Sequence, residues 1–415
     1  MSYKFTKIVY LILLLGICNV FAQPRHKSVF IETNIFPNGE DYRCFISFRI
    51  PYKNLVFIKN NGEYLSGLTF TIEAHLNDEI YTRQSSGEKL STADYNKTES
   101  SDDFIQGVVS IDLPSGKYKI EPIFNLSNTK RTVKLPSFNI ALDADSGKIL
   151  QPIVLENKKI ELNGIEYLEL VNYSNVIPFT ANKINLLIPL HDLSIPEINV
   201  TVVQNDEEII EKKIESLGVS SINIDKFSND IGINFFDGDT KLNLFLLSGF
   251  SEKLNEGNVK IKIEAVDFEK EFNLNVEWVD KPFSLMDPEF AIKLLENLVD
   301  KNTVKNLLNG DEDEYYDKLK EFWAPKDPVK ETALNEIMYE FYSRADGAIS
   351  KFATVDLRNG AKTDRGKIYI KYGDPDNIVR TYSDNNEVIE IWKYKSPKKE
   401  FTFIDRSGLG NFSLY

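Results

Sequence analysis

The chain has 415 residues, with 63 acidic against 49 basic side chains and a formal net charge of −14. Acidity on that scale repels nucleic acid and anionic membrane surfaces at long range, and argues against both as partners. A hydrophobic content of 42%, with 27 phenylalanines and 19 tyrosines, excludes disorder and requires packed cores.

The chain opens with Lys4 and Lys7, an apolar run from Ile8 to Ile17, and Val20-Phe21-Ala22. That order predicts a secretory signal peptide over residues 1–22, cut after Ala22 to leave Gln23 first. The apolar run is shorter than the ~20 residues a membrane span needs. Cleavage removes two lysines and takes the net charge to −16 (−14 − 2). Leu15-Gly16-Ile17-Cys18 loosely resembles a lipidation box, but Ile17 is not the small residue that the motif needs before its cysteine. No later stretch is long and apolar enough to span a bilayer, so no transmembrane segment is expected after cleavage. Cys44 is then the one remaining cysteine, predicted to be a small buried apolar residue. A mature chain of ~390 residues resting on its cores alone divides into two or three domains.

Residues 23–148 read as strands and turns. Val29 to Ile35, a Pro37-Asn38-Gly39-Glu40 turn and Tyr42 to Ile50 form a hairpin pattern. Leu55 to Ile58 and Leu68 to Ala74 are further strands, and the polar stretch Ser86 to Asp103 reads as a long loop. Phe104 to Leu113, Pro114-Ser115-Gly116 and Lys117 to Phe124 give the clearest hairpin pattern. Regular short strands predict an immunoglobulin-like β-sandwich. Asp143 to Gly147 carries alternating carboxylates but lacks the later ligands of a calcium loop, so it reads as a solvated turn between domains.

Residues 149–282 predict a second β-sandwich, with strands at Ile184 to Leu190, Ile198 to Gln204, Glu208 to Ile214, Lys241 to Leu247, Val259 to Phe268 and Phe272 to Val279. His191-Asp192-Leu193-Ser194 places triad-type side chains in succession, but triads converge from separate elements, so it reads as a loop.

From residue 283 to 415 the period changes and an α+β domain is predicted, with helices first and then a small antiparallel sheet. Asp287-Pro288 and Asp327-Pro328 are cap-and-proline helix starts. Phe290, Leu294 and Leu298 recur at helical spacing; Tyr315, Leu319 and Phe322 face inward on a second helix. A third carries Leu334, Met338, Phe341, Ala345, Ile349 and Phe352 as one stripe. Arg358 to Asp376 reads as turn, strand, turn: Gly360 and Gly366 bracket Thr363 and Asp364, Lys367 to Tyr372 alternates, and Gly373-Asp374-Pro375-Asp376 ends it. Ile378 to Ser383 with Glu387 to Tyr394, and Phe401 to Ile404 with Phe412 to Tyr415, predict two hairpins.

Gly360-Ala361-Lys362-Thr363-Asp364, followed by Arg365-Gly366-Lys367-Ile368-Tyr369-Ile370, resembles the GWxTD domain family of bacterial envelope proteins. Phe322-Trp323 with Asp327-Pro328, then Asn335-Glu336 with Tyr342 and Arg344, are similar to the family's preceding segments. Gly373-Asp374-Pro375-Asp376 resembles its Gly-Pro-Pro-Asp turn, and Ile391-Trp392-Lys393-Tyr394 its later strand. The likeness covers 285–415, and Ala361 stands where the family has its eponymous tryptophan. It implies an exported protein of a Bacteroidetes-type bacterium and carries no catalytic residue across.

The sequence therefore points to an exported, non-enzymatic protein in the periplasm or on the cell surface of a Gram-negative bacterium. It would dock an envelope protein partner through the C-terminal domain, with the sandwiches as spacer or adhesion modules. The candidate binding surface is Arg358, Gly360, Thr363, Asp364 and Arg365 with Asp374 and Asp376, a loop dense in glycine and charge. No catalytic residue is nominated and no cofactor is expected. No metal is expected either, because His26, His75 and His191 lack ligand spacing. One alternative is a hydrolase using paired carboxylates among Asp364, Asp374, Asp376 and Glu390. Another is a carbohydrate-binding sandwich, with Tyr81, Tyr95 and Tyr173 as stacking platforms.

Overall fold

The computed structural model describes residues 29–143, 149–266 and 268–415. The signal segment, Cys18 and the turn residues that follow Asp143 lie outside the described residues.

The first unit contains β1 (Phe30–Asn38), β2 (Asp41–Pro51), β3 (Ile58–Asn60), β4 (Glu63–Leu76), β5 (Glu79–Thr92), β6 (Phe104–Leu113), β7 (Gly116–Leu126), β8 (Thr132–Lys134) and β9 (Phe138–Leu142). β1, β2 and β6 make one sheet; the other six make a second, centred on β4 and β7. The two enclose one core. Cys44, Ile46 and Phe48 of β2 face Phe70, Ile72 and Ala74 of β4, and the rings of Phe48, Phe70 and Phe124 meet at 4.7 to 5.3 Å. Cys44 is fully buried, and burial pushes its thiol up to about 12.

Two sequence expectations fail here. β6 and β7 are not a hairpin, since β6 pairs with β2 and β7 with β4 in the opposite sheet. Neither Pro114 nor Ser115 takes the positive φ that a two-residue hairpin turn demands, so the chain crosses between sheets. β1–β2 is the hairpin that the sequence predicts, and a further tight hairpin, β4–β5, turns on Asn77 (φ 52°) and Asp78 (φ 65°). Part of the expected loop, Ser86 to Thr92, is the second half of β5, and a single helical turn at Tyr95–Thr98 follows it. β5 is polar because it lies at a solvent-facing edge.

The second unit contains β10 (Ile153–Leu162), β11 (Ile165–Leu170), β12 (Ile177–Pro178), β13 (Ile184–Leu190), β14 (Glu197–Gln204), β15 (Glu207–Glu215), β16 (Gly218–Phe227), β17 (Asp230–Phe236), β18 (Leu242–Leu247), β19 (Gly257–Ala265) and β20 (Phe268–Glu277). It departs from a pair of open sheets. β10, β11, β17, β16, β18 and β13 close into a barrel, and β12, β20, β19, β14 and β15 form a five-stranded sheet against it. β13 is buried along its whole length because it serves both sides. Leu187 joins the barrel cluster, while Leu186, Ile188 and Leu190 pack towards the sheet with Val200, Ile261 and Leu274.

The first two units are fused. The face of β2 turned away from its own sandwich sends Phe45, with Phe36 of β1, into the barrel cluster. Beside it, Ser47 Oγ donates to Asn172 Oδ1 (2.8 Å), Asn172 Nδ2 to Gln106 Oε1 (2.8 Å), and Gln106 Nε2 to Asp230 Oδ1 (3.0 Å). Lys226 of the barrel pairs with Glu88 of β5.

The C-terminal unit has helices α1 (Pro288–Leu294), α2 (Lys301–Leu307), α3 (Tyr315–Trp323), α4 (Glu336–Lys351) and α5 (Asp364–Tyr372). Then comes the antiparallel sheet β21 (Asn377–Tyr382), β22 (Val388–Tyr394), β23 (Lys399–Asp405) and β24 (Ser413–Leu414). Asp287 caps α1 through the Phe290 N–H (3.0 Å). The third long helix, α4, begins later than Asp327-Pro328: Asn335 is its cap, accepting from Met338 N–H (3.0 Å) and donating to the Trp323 carbonyl (3.0 Å). Lys367 to Tyr372, read as a strand, is the body of α5. This unit shares one continuous apolar core with the five-stranded sheet, bridged by Trp278 against Phe179 (5.1 Å) and Tyr339 (6.1 Å).

Glu32 of β1 is 1% exposed at the seam between the first two units, accepting from Asn175 N–H (3.1 Å) and Asn34 Nδ2 (3.3 Å). Burial raises its carboxyl to about 7. A raised folded-state value means stability that is present below the ordinary carboxylate range and lost as pH climbs through 7. Glu32→Gln should therefore raise the urea midpoint at pH 8 by the equivalent of about 3 kcal/mol, and the gain should vanish near pH 4. Circular dichroism at both pH values checks it, with Asn34 free to flip its amide and meet the new donor.

Candidate functional site

The nominated loop is built into the fold. Asn359 accepts from Ala361 N–H (3.1 Å) and opens a short 3₁₀ turn, Gly360–Lys362, that presses on the end of α4. Gly360 and Ala361 are buried. A methyl group on Gly360 would collide with the Ala348 carbonyl, and one on Gly366 with the Gly360 carbonyl. Glycine here permits backbone-to-backbone approach. Thr363 Oγ1 caps α5, accepting from Gly366 N–H (3.0 Å) while donating to the Gly360 carbonyl (2.7 Å). Asp364 accepts from Leu414 N–H (3.1 Å) and from Lys367 (3.1 Å), latching the last strand to α5. Burial pushes its carboxyl up, but those donors outweigh burial and hold it below the usual range.

Arg365 reaches inward. Its guanidinium lies 3.3 Å from Glu390 Oε2, donates to the Gly410 carbonyl (3.2 Å) and sits over the Phe412 ring (4.0 Å). Glu390 is 2% exposed and also takes Arg380 (2.6 Å) and Trp392 Nε1 (3.3 Å). A carboxylate held by two arginines and an indole is a structural anchor. Asp374 is exposed, near Lys351 (3.3 Å) and accepting from the Tyr369 hydroxyl (3.2 Å); Asp376 accepts from Lys395 N–H (2.7 Å). Arg358 is exposed on the surface. The seven residues thus do not converge on one recess: Thr363, Asp364 and Arg365 border a shallow one of about 230 Å³, and Asp374 and Asp376 lie apart from it.

A larger site lies where all three units meet, and no sequence pattern marked it. It is a cleft of about 1010 Å³ walled by β1, β2 and Phe104 of the first unit, by Glu156 and Tyr173 of the second, and by α4 with the Val279-to-Phe283 segment. Arg49 projects from β2 into it. Its guanidinium carbon lies 4.0 Å from the Phe104 centroid and 4.2 Å from that of Tyr173, Nη1 donates to the Val171 carbonyl (3.0 Å), and Nε is buried without a partner. Burial pushes the Glu156 carboxyl up, Glu169 adding and Arg49 opposing; burial and then Asp280 push Asp102 up at the rim. On α4, the Tyr339 hydroxyl donates to Asp280 (2.5 Å). Asp346 accepts from Ser284 N–H at 3.3 and 3.4 Å, and burial raises its carboxyl to about 6. Lys53, Lys281 and Lys351 supply positive charge around the mouth. Aromatic walls, opposed charges and perturbed carboxyls in one recess are the marks of a binding site. Of the three tyrosines nominated as platforms, Tyr173 is here, whereas Tyr81 packs on Tyr118 (5.7 Å) and Tyr95 on Tyr64 (5.6 Å).

The structural role of the loop can be measured. Arg365→Ala leaves Glu390 short of a buried partner and should cost ~3 kcal/mol, and Thr363→Ala should cost about 1 kcal/mol through the lost cap. Arg358→Ala should stay within about 0.5 kcal/mol of wild type, as for an exposed side chain. The chain's three tryptophans, Trp278, Trp323 and Trp392, make fluorescence-detected urea unfolding a direct readout of this unit.

Among curated proteins, none matches this chain. Among solved structures, the tandem immunoglobulin domains of titin are similar at 12% identity over 60% of this chain and 97% of that one, with a TM-score of 0.14. Residues 267–413 match the family model of the GWxTD domain, a range that takes in β20 and runs through α1 to β24. With Gly360 to Asp364 forming the turn and cap that seat α5, the C-terminal unit carries the GWxTD domain over residues 267–413.

Proposed function

We propose that the protein is an exported, non-enzymatic binding protein of the Gram-negative envelope. In this reading the GWxTD domain docks a partner protein not through its Thr363-Asp364 loop but through the cleft it completes with the two β-rich units. The single observation that carries it is the convergence of three units on one recess, with Arg49 held between Phe104 and Tyr173 and acids on the opposite walls. An extended polypeptide segment suits such walls: it offers apolar side chains for the rings and both signs of charge for Arg49, Glu156 and Asp346. The first unit, two antiparallel sheets over one core, we read as immunoglobulin-like, and the N-terminal sequence, which reads as a secretory signal, supports an address in the periplasm or at the cell surface.

The hydrolase alternative draws less support. Glu390 and Asp364 are held by cations and backbone donors, and Asp346 is engaged by Ser284. The carbohydrate alternative needs an open aromatic face, and Tyr173 already has Arg49 over its ring and the edge of Phe30 at 4.8 Å.

A photo-crosslinking residue placed at Ser343, on the α4 wall, tests the reading in the native bacterium. One discrete adduct, mapped by mass spectrometry to a short segment of an envelope protein, is the expected result, with none from the same residue at Arg358. Adducts from Arg358 alone would move the site back to the loop; silence at both positions would end the docking proposal.

A further inference from the structure

The outer face of the first unit holds a group of side chains that the cleft does not use. Glu73 and His75 lie two apart on β4 and so project from the same face, away from the core residues Ile72 and Ala74. Glu121 of β7 is the direct cross-strand partner of Glu73. Two carboxylates in that position repel unless something lies between them. His75 Nε2 is 3.5 Å from Glu73 Oε2 and 3.9 Å from Glu121 Oε2, and the three ligating atoms all lie within 4.8 Å of one another. For a tetrahedral zinc ion with bonds near 2.1 Å, ligand atoms are separated by about 3.4 Å. Side-chain rotations that bring the ligand atoms closer by at most about 1.4 Å close the difference.

Two further details favour a cation at that point. His75 Nε2 is buried and makes no hydrogen bond. Each carboxylate gives its other oxygen to a neighbouring cation: Glu73 Oε1 pairs with Arg83, and Glu121 Oε1 with Lys119 at 2.5 Å. Those pairs fix the carboxylates so that each leaves its second oxygen turned toward His75, the arrangement that outer partners impose on metal ligands.

We infer that Glu73, His75 and Glu121 form a site for a first-row divalent cation, of which zinc is the natural probe: an imidazole and two carboxylate oxygens, with a fourth position open to water. Imidazole with carboxylate is a donor set that zinc accepts, and it disfavours calcium and magnesium, which take oxygen ligands. Sequence spacing did not disclose it, because the third ligand sits on a strand more than forty residues further on and meets the first two only through the β4–β7 pairing.

Calorimetric titration of the untagged mature chain with Zn²⁺ tests the site. The expected result is one equivalent bound, reversed by chelator, with affinity reduced at least tenfold by His75→Ala and by Glu121→Gln. His26→Ala and His191→Ala should leave it unchanged. Should His75→Ala fail to fold, Glu121→Gln decides alone, since it is a near-isosteric change at a partly exposed side chain. Absence of stoichiometric binding, or binding that survives loss of His75 or Glu121, overturns the assignment.

Discussion

Burying both faces of β2 removes the freedom of the first two units to move as separate beads. One face carries Cys44, Ile46 and Phe48 into the sandwich; the other sends Phe45 to the barrel and seats Ser47 on Asn172. Apolar burial on one side and satisfied hydrogen bonds on the other make the contact hard to open, because a buried polar network left half-made costs more than none. Arg49 follows four residues after Phe45 on that strand, so its entry into the cleft is set by the fusion. The cleft is thus a product of how the units pack.

The motif that names the C-terminal domain is architectural in this chain. Gly360 and Gly366 let two backbones touch, Thr363 caps a helix, Asp364 latches the terminal strand and Arg365 anchors Glu390. Each of these tasks demands a particular residue for reasons of space or hydrogen bonding. Ala361, where the resemblance places a tryptophan, is 1% exposed in the same turn. Meanwhile Trp323 packs against Phe341 (5.3 Å) and Trp392 against Phe403 (4.9 Å), each in its own part of the core.

Much of the layout was legible in the sequence, because alternation and capping are local. The β-rich front, the helices after Asp287 and the closing sheet all follow from such signals. The failures have physical causes. Lys367 to Tyr372 alternates like a strand, yet Gly366, Tyr369, Ile370 and Gly373 are its buried positions, which is helical spacing, and Thr363 ahead of Asp364 is a helix start. β6 and β7 satisfied every local hairpin rule except the turn, where proline and serine replaced residues that accept positive φ. The cleft was invisible for a different reason: Arg49 and Asp346 are unremarkable alone, Tyr173 reads from sequence only as a surface platform, and only tertiary packing brings them together.

Cys44 is the one thiol that the mature chain would retain, and it lies at 0% exposure on the inward face of the same strand that fuses the units. A protonated, sealed sulfur is a poor nucleophile, so oxidants and foreign disulfides have nothing to attack while the sandwich stays shut. Its alkylation rate would then run as a clock on the opening of the sandwich, reporting how often the molecule breathes at its most confined layer.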